Sequence, residues 1–88
     1  MPSGFWYEIY FGNRPSALGG EWYKSKLISK MMYYVDEAIE ETGKIKPFSY
    51  KIVKQWFRYD GDTKQHKKVV IETGRVTSTG KLVRNIKE

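Results

Sequence analysis

Residues 50–61, YKIVKQWFRYDG, decide the fold, because they can be interpreted either as a strand or as a helix. β-Branched and aromatic residues dominate the segment, and strands are enriched in these residue types. The segment ends at Asp60-Gly61, a dipeptide typical of tight hairpin turns. We therefore predict a strand over residues 50–59. Its faces would both mix apolar with polar residues, with Tyr50, Ile52, Lys54, Trp56 and Arg58 on one and Lys51, Val53, Gln55, Phe57 and Tyr59 on the other.

A helix is the alternative for the same segment. Helical spacing would gather its apolar residues into one stripe, made of Phe48, Ile52, Val53, Trp56 and Phe57. This alternative would change the predicted element order from β-α-β-β-β to β-α-α-β-β.

Upstream of this segment, residues 21–42 are predicted to form an amphipathic helix. Gly43 is the expected stop signal, since glycine readily adopts the backbone conformation that ends helices. The apolar residues recur at helical spacing and form one stripe: Leu27, Ile28, Met31, Met32, Val35, Ala38 and Ile39. The stripe predicts that one face of the helix is buried.

Three further strands are predicted over residues 5–12, 67–77 and 81–87, with a bulge or bend at Gly74 in the second of them. In the first strand, alternation would direct toward the core Phe5, Tyr7, Ile9 and Phe11. A chain of 88 residues has room for one core, so we predict one small domain over residues 1–88. The predicted fold is α+β, with a single helix packed on one face of a mostly antiparallel four-stranded sheet.

The stretch FGNRPSALGGEWYKSK, residues 11–26, leads from the end of the first strand through a glycine-containing loop into the start of the helix. A strand, a glycine-containing loop and a helix N-terminus can together bind an anion. Arg14, Lys24 and Lys26 would add positive charge. The stretch contains neither the P-loop spacing nor GxGxxG, so no known nucleotide motif is present. A plain connecting loop is the alternative.

Charge is divided unevenly along the chain. Residues 1–43 contain four Lys or Arg against six acidic residues, whereas residues 44–88 contain twelve against four. This asymmetry favours a basic surface that meets an anionic partner. Ordinary solubilising lysine is the alternative explanation.

Composition limits the function classes. Without cysteine and with one histidine, the chain cannot form a disulfide or an ordinary structural zinc site. Residues 1–12 lack the pattern of a signal peptide, and no apolar run approaches the roughly 20 residues of a membrane span. We therefore expect a cytoplasmic protein with no membrane partner and no cofactor or metal.

Catalysis has little support in the sequence. His66 is the sole imidazole and lies in a lysine-rich turn. Asp60 and Asp62 could join one Mg²⁺, but turn formation explains them equally well. We therefore predict no catalytic residues and no enzyme activity.

The main functional hypothesis is a small non-enzymatic module that binds DNA or RNA, mainly through the phosphate backbone. Trp56, flanked by Lys54 and Arg58 on one strand face, could stack a base while the cations hold phosphates. The predicted nucleic-acid-binding residues are Arg14, Lys24, Lys54, Trp56, Arg58, Lys64, Lys67, Lys68 and Arg75. The structural alternative is that Trp56 belongs to the core and the lysines protect a sheet edge.

The second functional hypothesis is a protein-interaction module, for example a small regulator or inhibitor that docks on an acidic partner, or a homodimer. Its anchors would be exposed aromatic residues such as Trp6, Tyr10 and Trp22. The first hypothesis assigns the key contacts to lysine and arginine, and the second assigns them to aromatic side chains.

Overall fold

The computed structural model describes residues 5–12 and 14–87, and over residues 14–17 it describes the backbone. These residues form one antiparallel sheet with the strand order β2-β1-β3-β4-β5, and one helix. The elements follow the order β1 (Trp6–Phe11), β2 (Arg14–Glu21), α1 (Lys24–Thr42), β3 (Phe48–Asp60), β4 (Thr63–Val76) and β5 (Leu82–Ile86).

The α+β class is confirmed, as is a helix lying against an antiparallel sheet. The strand interpretation of residues 50–59 is also confirmed, because β3 spans the whole segment. The alternative order β-α-α-β-β is wrong for this reason. Tyr50 and Ile52 lie on the face of β3 that packs on the core cluster, whereas Val53 lies on the opposite face, so the helical stripe would have combined residues from both faces.

The predicted number of strands is wrong, because the described residues form five and not four. The additional strand is β2, which occupies the predicted loop between the first strand and the helix and ends at Glu21, the first residue of the predicted helix. Its sequence, RPSALGGE, is rich in residues that usually interrupt strands. β2 is tolerated as an edge strand, paired with β1 across a wide irregularity that separates the Glu8–Gly20 pair from the Tyr10–Pro15 pair.

The helix α1 begins three residues later than predicted and ends as predicted. Its buried residues are Leu27, Met31 and Val35, all from the predicted apolar stripe. Gly43 ends the helix with a φ of 84°, and its N–H donates a 2.7 Å hydrogen bond to the carbonyl oxygen of Ile39. The helix packs mainly over β1 and β2, and the buried cluster beneath it includes Ile9, Tyr50, Ile52, Ile71 and Val76.

β4 carries a bulge, although not at the predicted position. Ile52 pairs with Glu72 and Val53 pairs with Val70, so Ile71 is the extra residue on β4. Gly74 has a different role, because a Cβ there would lie 2.5 Å from the hydroxyl oxygen of Tyr50. Glycine at this position therefore lets the Tyr50 ring cross the neighbouring strand.

Tyr50 crosses β4 to reach Glu72, a fully buried carboxylate that connects four elements. Glu72 accepts hydrogen bonds from the Tyr50 hydroxyl at 2.6 Å and from Nε and Nη2 of Arg84 at 2.9 and 2.8 Å. The ammonium of Lys24, at the start of α1, lies 3.5 Å from the same carboxylate. Burial alone would raise the pKa of Glu72, but the hydrogen bonds and positive charges outweigh burial and lower that pKa.

The β3–β4 hairpin extends beyond its neighbours. β1 pairs with β3 only as far as Gln55, and β5 pairs with β4 only as far as Glu72. Residues 56–67 therefore form a two-stranded projection, which we call the ribbon, and the molecule measures 54 × 21 × 21 Å. The predicted Asp60-Gly61 turn closes the ribbon, with a φ of 61° at Gly61.

Replacing Glu72 by Gln is expected to lower the free energy of unfolding at pH 7 by about 2–3 kcal/mol, because buried partners lose a charged acceptor. The folded pKa of Glu72 lies below its ordinary value of 4.5. The stabilisation by the carboxylate is therefore present above pH 4.5 and is lost as the pH falls through the folded pKa. Urea unfolding at pH 7, 4 and 3 measures both effects.

The matched control is Glu40→Gln, which removes the same charge from an exposed position of α1. Glu72→Gln should also show a smaller loss of stability between pH 7 and pH 3 than the unsubstituted protein. Equal stabilities of the two variants at pH 7 would contradict the role assigned to Glu72.

Candidate functional site

The helix packs on one face of the sheet, and among the described residues no element packs on the other, which we call the open face. Cross-strand partners share a face, and so do alternate residues of a strand. From the centre of the sheet to the end of the ribbon, the open face therefore consists of Trp6, Glu8 and Tyr10 from β1, Lys51, Val53, Gln55, Phe57 and Tyr59 from β3, and Lys64, His66, Lys68 and Val70 from β4.

The part of the open face that includes the ribbon contains a groove of about 750 Å³. Aromatic side chains dominate its lining, with one carboxylate, one amide and one ammonium among them. The lining residues are Trp6, Glu8, Trp22, Gln55, Trp56, Phe57, Tyr59, Lys64 and His66. A concave aromatic surface with few polar groups is the usual form of a ligand site.

Trp6 forms part of the groove and lies against the backbone of β2. A Cβ at Gly20 would collide with the indole ring, so glycine is needed for this close approach. Trp22 packs edge-on to Trp6, with ring centroids 4.8 Å apart and an interplanar angle of 75°. The glycine-rich sequence of β2 thus holds Trp6 in place.

On the ribbon, the groove presents exposed aromatic surface beside positive charge. Phe57 and His66 are cross-strand partners whose rings stack at a centroid distance of 4.9 Å and an angle of 26°. The ammonium of Lys64 lies 4.0 Å from the Phe57 centroid, a cation–π arrangement. Phe57 is 55% exposed and Tyr59 is 67% exposed, so both can contact a ligand.

Gln55 is the buried polar residue of the groove, with 6% of its surface exposed. It lies between Trp6 on β1 and Lys68 on β4. Its Nε2 has no hydrogen-bond partner among the described residues. A buried donor without an acceptor costs about 1–3 kcal/mol, so the groove contains an unused hydrogen-bonding group.

Glu8 places a negative charge on the groove lining. The Tyr10 hydroxyl donates a 3.1 Å hydrogen bond to Oε2 of Glu8. Burial of the Tyr10 hydroxyl, together with this carboxylate, raises the pKa of Tyr10. Two positive charges lie on β4, where Lys64 lines the groove and Lys68 is the cross-strand partner of Gln55.

Lys54, Trp56 and Arg58 share the face opposite to the open face, as their alternation predicts. Trp56 is half-buried and packs edge-on to Phe5, with centroids 5.8 Å apart. The ammonium of Lys54 lies 4.1 Å from the Phe5 centroid and 6.0 Å from that of Trp56. Trp56 thus contacts Phe5 and is the one groove-lining residue of β3 and β4 whose strand position belongs to the opposite face.

Six of the nine residues predicted to bind nucleic acid lie close together. Four are in the ribbon, namely Trp56, Arg58, Lys64 and Lys67, and two, Lys54 and Lys68, lie where the ribbon joins the sheet, which we call its base. Arg75 lies near the opposite end of β4, paired with Ser49. Lys24 lies beside Glu72, so its charge faces an internal carboxylate. Arg14 lies in β2, and its side chain is outside the described part of the structure.

Gln55, Phe57 and His66 line the groove but are not among the site residues predicted from the sequence. The alternation of residues 50–59 does place Gln55 and Phe57 on one strand face, which is the signal that could have identified them. Trp6, which the sequence suggested as an anchor for a protein partner, is half-buried in the groove.

Other site types find no support in the described part of the chain. It contains no group of three or more His, Asp or Glu side chains placed to hold a metal ion. None of its helices has the length and apolar character needed to cross a bilayer. No protein-family model, curated protein or solved structure matches this chain. The chemistry of the open face and the ribbon is therefore the guide to function.

Gln55→Leu is expected to leave the free energy of unfolding unchanged or to raise it by about 1–2 kcal/mol, because it replaces an unpaired buried amide with an apolar side chain of similar size. Urea unfolding at pH 7 measures this change. Gln65→Leu, at a half-buried position of the ribbon, is the control and should change stability little. A loss of more than about 2 kcal/mol in Gln55→Leu would show that the amide has a structural partner.

Proposed function

We propose that this protein is a small non-enzymatic module that binds nucleic acid, mainly by holding phosphates with the ribbon and its base. The observation that carries the proposal is the projection of residues 56–67 beyond the five-stranded part of the sheet. The ribbon carries Arg58, Lys64 and Lys67 along its strands and two carboxylates, Asp60 and Asp62, at its turn. A projecting strand pair with cations along its length can lie along a nucleic-acid backbone or enter a groove.

The distribution of charge supports this proposal. Lys64 and Lys68 lie on the open face, whereas Arg58 and Lys67 lie on the other. None of these four side chains makes an ion pair with an acidic side chain in the described part of the structure. Their charges are therefore not neutralised internally and can replace the counterions of a phosphate backbone.

The proposal covers DNA and RNA alike, since phosphate contacts alone do not distinguish them. It takes the cytoplasm as the place of action, in keeping with a chain that lacks cysteine. Lysines along the exposed edges of the ribbon would have a second effect, because charged edges resist strand-to-strand aggregation.

Lys64→Glu combined with Lys68→Glu is expected to weaken binding and to reduce its dependence on salt. If each lysine neutralises one phosphate, the slope of log K against log salt should become shallower by about 1.4 for single strands and about 1.8 for duplex DNA. Fluorescence anisotropy with labelled DNA and RNA at four salt concentrations measures affinity and slope together.

The matched control is Lys44→Glu with Lys81→Glu, which makes the same charge change at the opposite end of the sheet. Lys44 precedes Ile45, whose N–H donates a hydrogen bond to the carbonyl oxygen of Ser78. The carbonyl oxygen of Lys81 accepts a hydrogen bond from the N–H of Thr77, so both lysines lie at this end of the sheet. The control should retain most of the affinity and the slope. Equal losses in both double variants would mean that only net charge matters, and would contradict a site on the ribbon.

A protein-interaction module, including a homodimer, is the second candidate function. The observation that favours it is the exposed Tyr33 and Tyr34 on α1, with exposed fractions of 66% and 57%. Tyr34 borders an apolar cavity of about 570 Å³ beside the helix, which Phe11 and Phe48 also line. Exposed aromatic side chains next to a pocket are typical anchors of protein interfaces.

If the protein forms a homodimer through this surface, sedimentation equilibrium should give a mass that rises from 10.4 kDa toward twice that value with concentration. Tyr34→Lys should then prevent the rise, because it would place a charge in the interface. A constant monomer mass up to the highest soluble concentration would exclude the homodimer.

A further inference from the structure

We propose that the groove on the open face binds an unpaired base of a single-stranded nucleic acid, and that the Gln55 amide forms a hydrogen bond with the edge of that base. The inference rests on the proposed function and specifies the form of nucleic acid that the same surface binds. It assigns base contact to the groove and phosphate contact to the lysines beside it.

The aromatic lining supplies surfaces on which a base can stack. Phe57 is 55% exposed, and Trp6 is fixed against Gly20 and Trp22 on the neighbouring part of the groove. Stacking of bases on aromatic side chains displayed by a sheet is a recurrent mode of single-strand recognition. The Lys64 ammonium occupies the space over Phe57 in the unbound protein, and its flexible side chain can move aside toward a phosphate.

Gln55 supplies the polar contact. Its amide is the buried polar group of the groove whose Nε2 lacks an acceptor within the described residues. A glutamine amide offers both donors and an acceptor, which is the chemistry that pairs with base edges. A turn of the terminal amide would bring Nε2 to a base that enters the groove, and that base would supply the acceptor that Nε2 lacks in the unbound protein.

The charged side chains around the groove determine where the phosphates of the bound nucleic acid lie. Glu8 lines the groove and would repel a phosphate placed inside it. Lys64 and Lys68 lie on β4, at the side where a backbone could pass. A base inside the groove, with its phosphates along β4, keeps the phosphates away from Glu8 and places them beside Lys64 and Lys68. In a duplex, each base is stacked and paired, so this arrangement requires an unpaired base.

The test uses four labelled probes of twelve nucleotides: a DNA single strand, an RNA single strand of the same sequence, a DNA duplex, and a DNA strand in which every nucleotide is replaced by an abasic site. Affinity of the full chain for each probe is measured by fluorescence anisotropy. The variants are Gln55→Leu and Phe57→Leu, neither of which changes net charge. The control is Tyr33→Leu, an exposed aromatic position on α1.

We expect the intact single strands to bind more tightly than the duplex and the abasic strand. Gln55→Leu and Phe57→Leu should each weaken binding of the intact single strands by about 5- to 50-fold, the range for loss of a base-edge hydrogen bond or a stacking surface. Both should bind the abasic strand as the unsubstituted protein does, with an unchanged salt slope. Tyr33→Leu should bind all four probes normally. Comparison of the DNA and RNA single strands shows whether the site prefers deoxyribose or ribose.

The outcomes separate this inference from the proposed function. Equal binding of the intact and abasic strands, or tighter binding of the duplex, would overturn base recognition in the groove and leave phosphate binding by the ribbon standing. Normal single-strand affinity in Gln55→Leu would overturn the role of the amide. No binding of any probe at low salt would overturn the proposed function as well. Unfolding curves for each variant ensure that losses are compared between folded proteins.

Discussion

The buried carboxylate of Glu72 is the interaction on which the rest of the structure depends. It accepts hydrogen bonds from β3 and β5 and lies beside the first residue of α1, so one charge joins three strands to the helix. A buried charge is tolerated only when its hydrogen bonds are satisfied, which requires Tyr50 to cross β4 at Gly74. The bulge at Ile71 places Ile71 and Glu72 together in the interior. The helix is thereby held to one face of the sheet.

Fixing the helix to one face leaves the other face with an unusual combination of aromatic groups and a buried amide. The short β1 and β5 cover only part of the long β3–β4 hairpin, which leaves the ribbon exposed on both edges. An isolated two-stranded hairpin is marginally stable in water, but this ribbon continues directly into the sheet and has Phe57 stacked on His66. The unpaired Gln55 donor costs stability, and it lies close to exposed aromatic surface and to lysines without ion pairs. A surface that binds a strand of nucleic acid would account for all three features.

Much of the fold could be predicted because its signals are local. The apolar stripe of α1, the stop at Gly43, the alternation in β1, the β-branched and aromatic content of β3 and the turn at Asp60-Gly61 all depend on residues close together in sequence. The candidate site was only partly predictable. Lysines of the ribbon follow from composition, whereas the groove follows from the meeting of β1 and Trp22, which precede the helix, with β3 and β4, which follow it.

The sequence by itself determined the type of most elements, the core face of the helix and the excess of positive charge in the second half, because periodicity and composition are properties of the chain alone. The tertiary structure decided that RPSALGGE is a strand, since the edge position and the fit of Gly20 beneath Trp6 outweigh its weak strand propensity. It also decided that the charge of Lys24 is directed at Glu72, and that Gln55 is buried without a partner for Nε2. Burial and hydrogen-bond partners depend on contacts between distant segments, and these exist only once the sheet has formed.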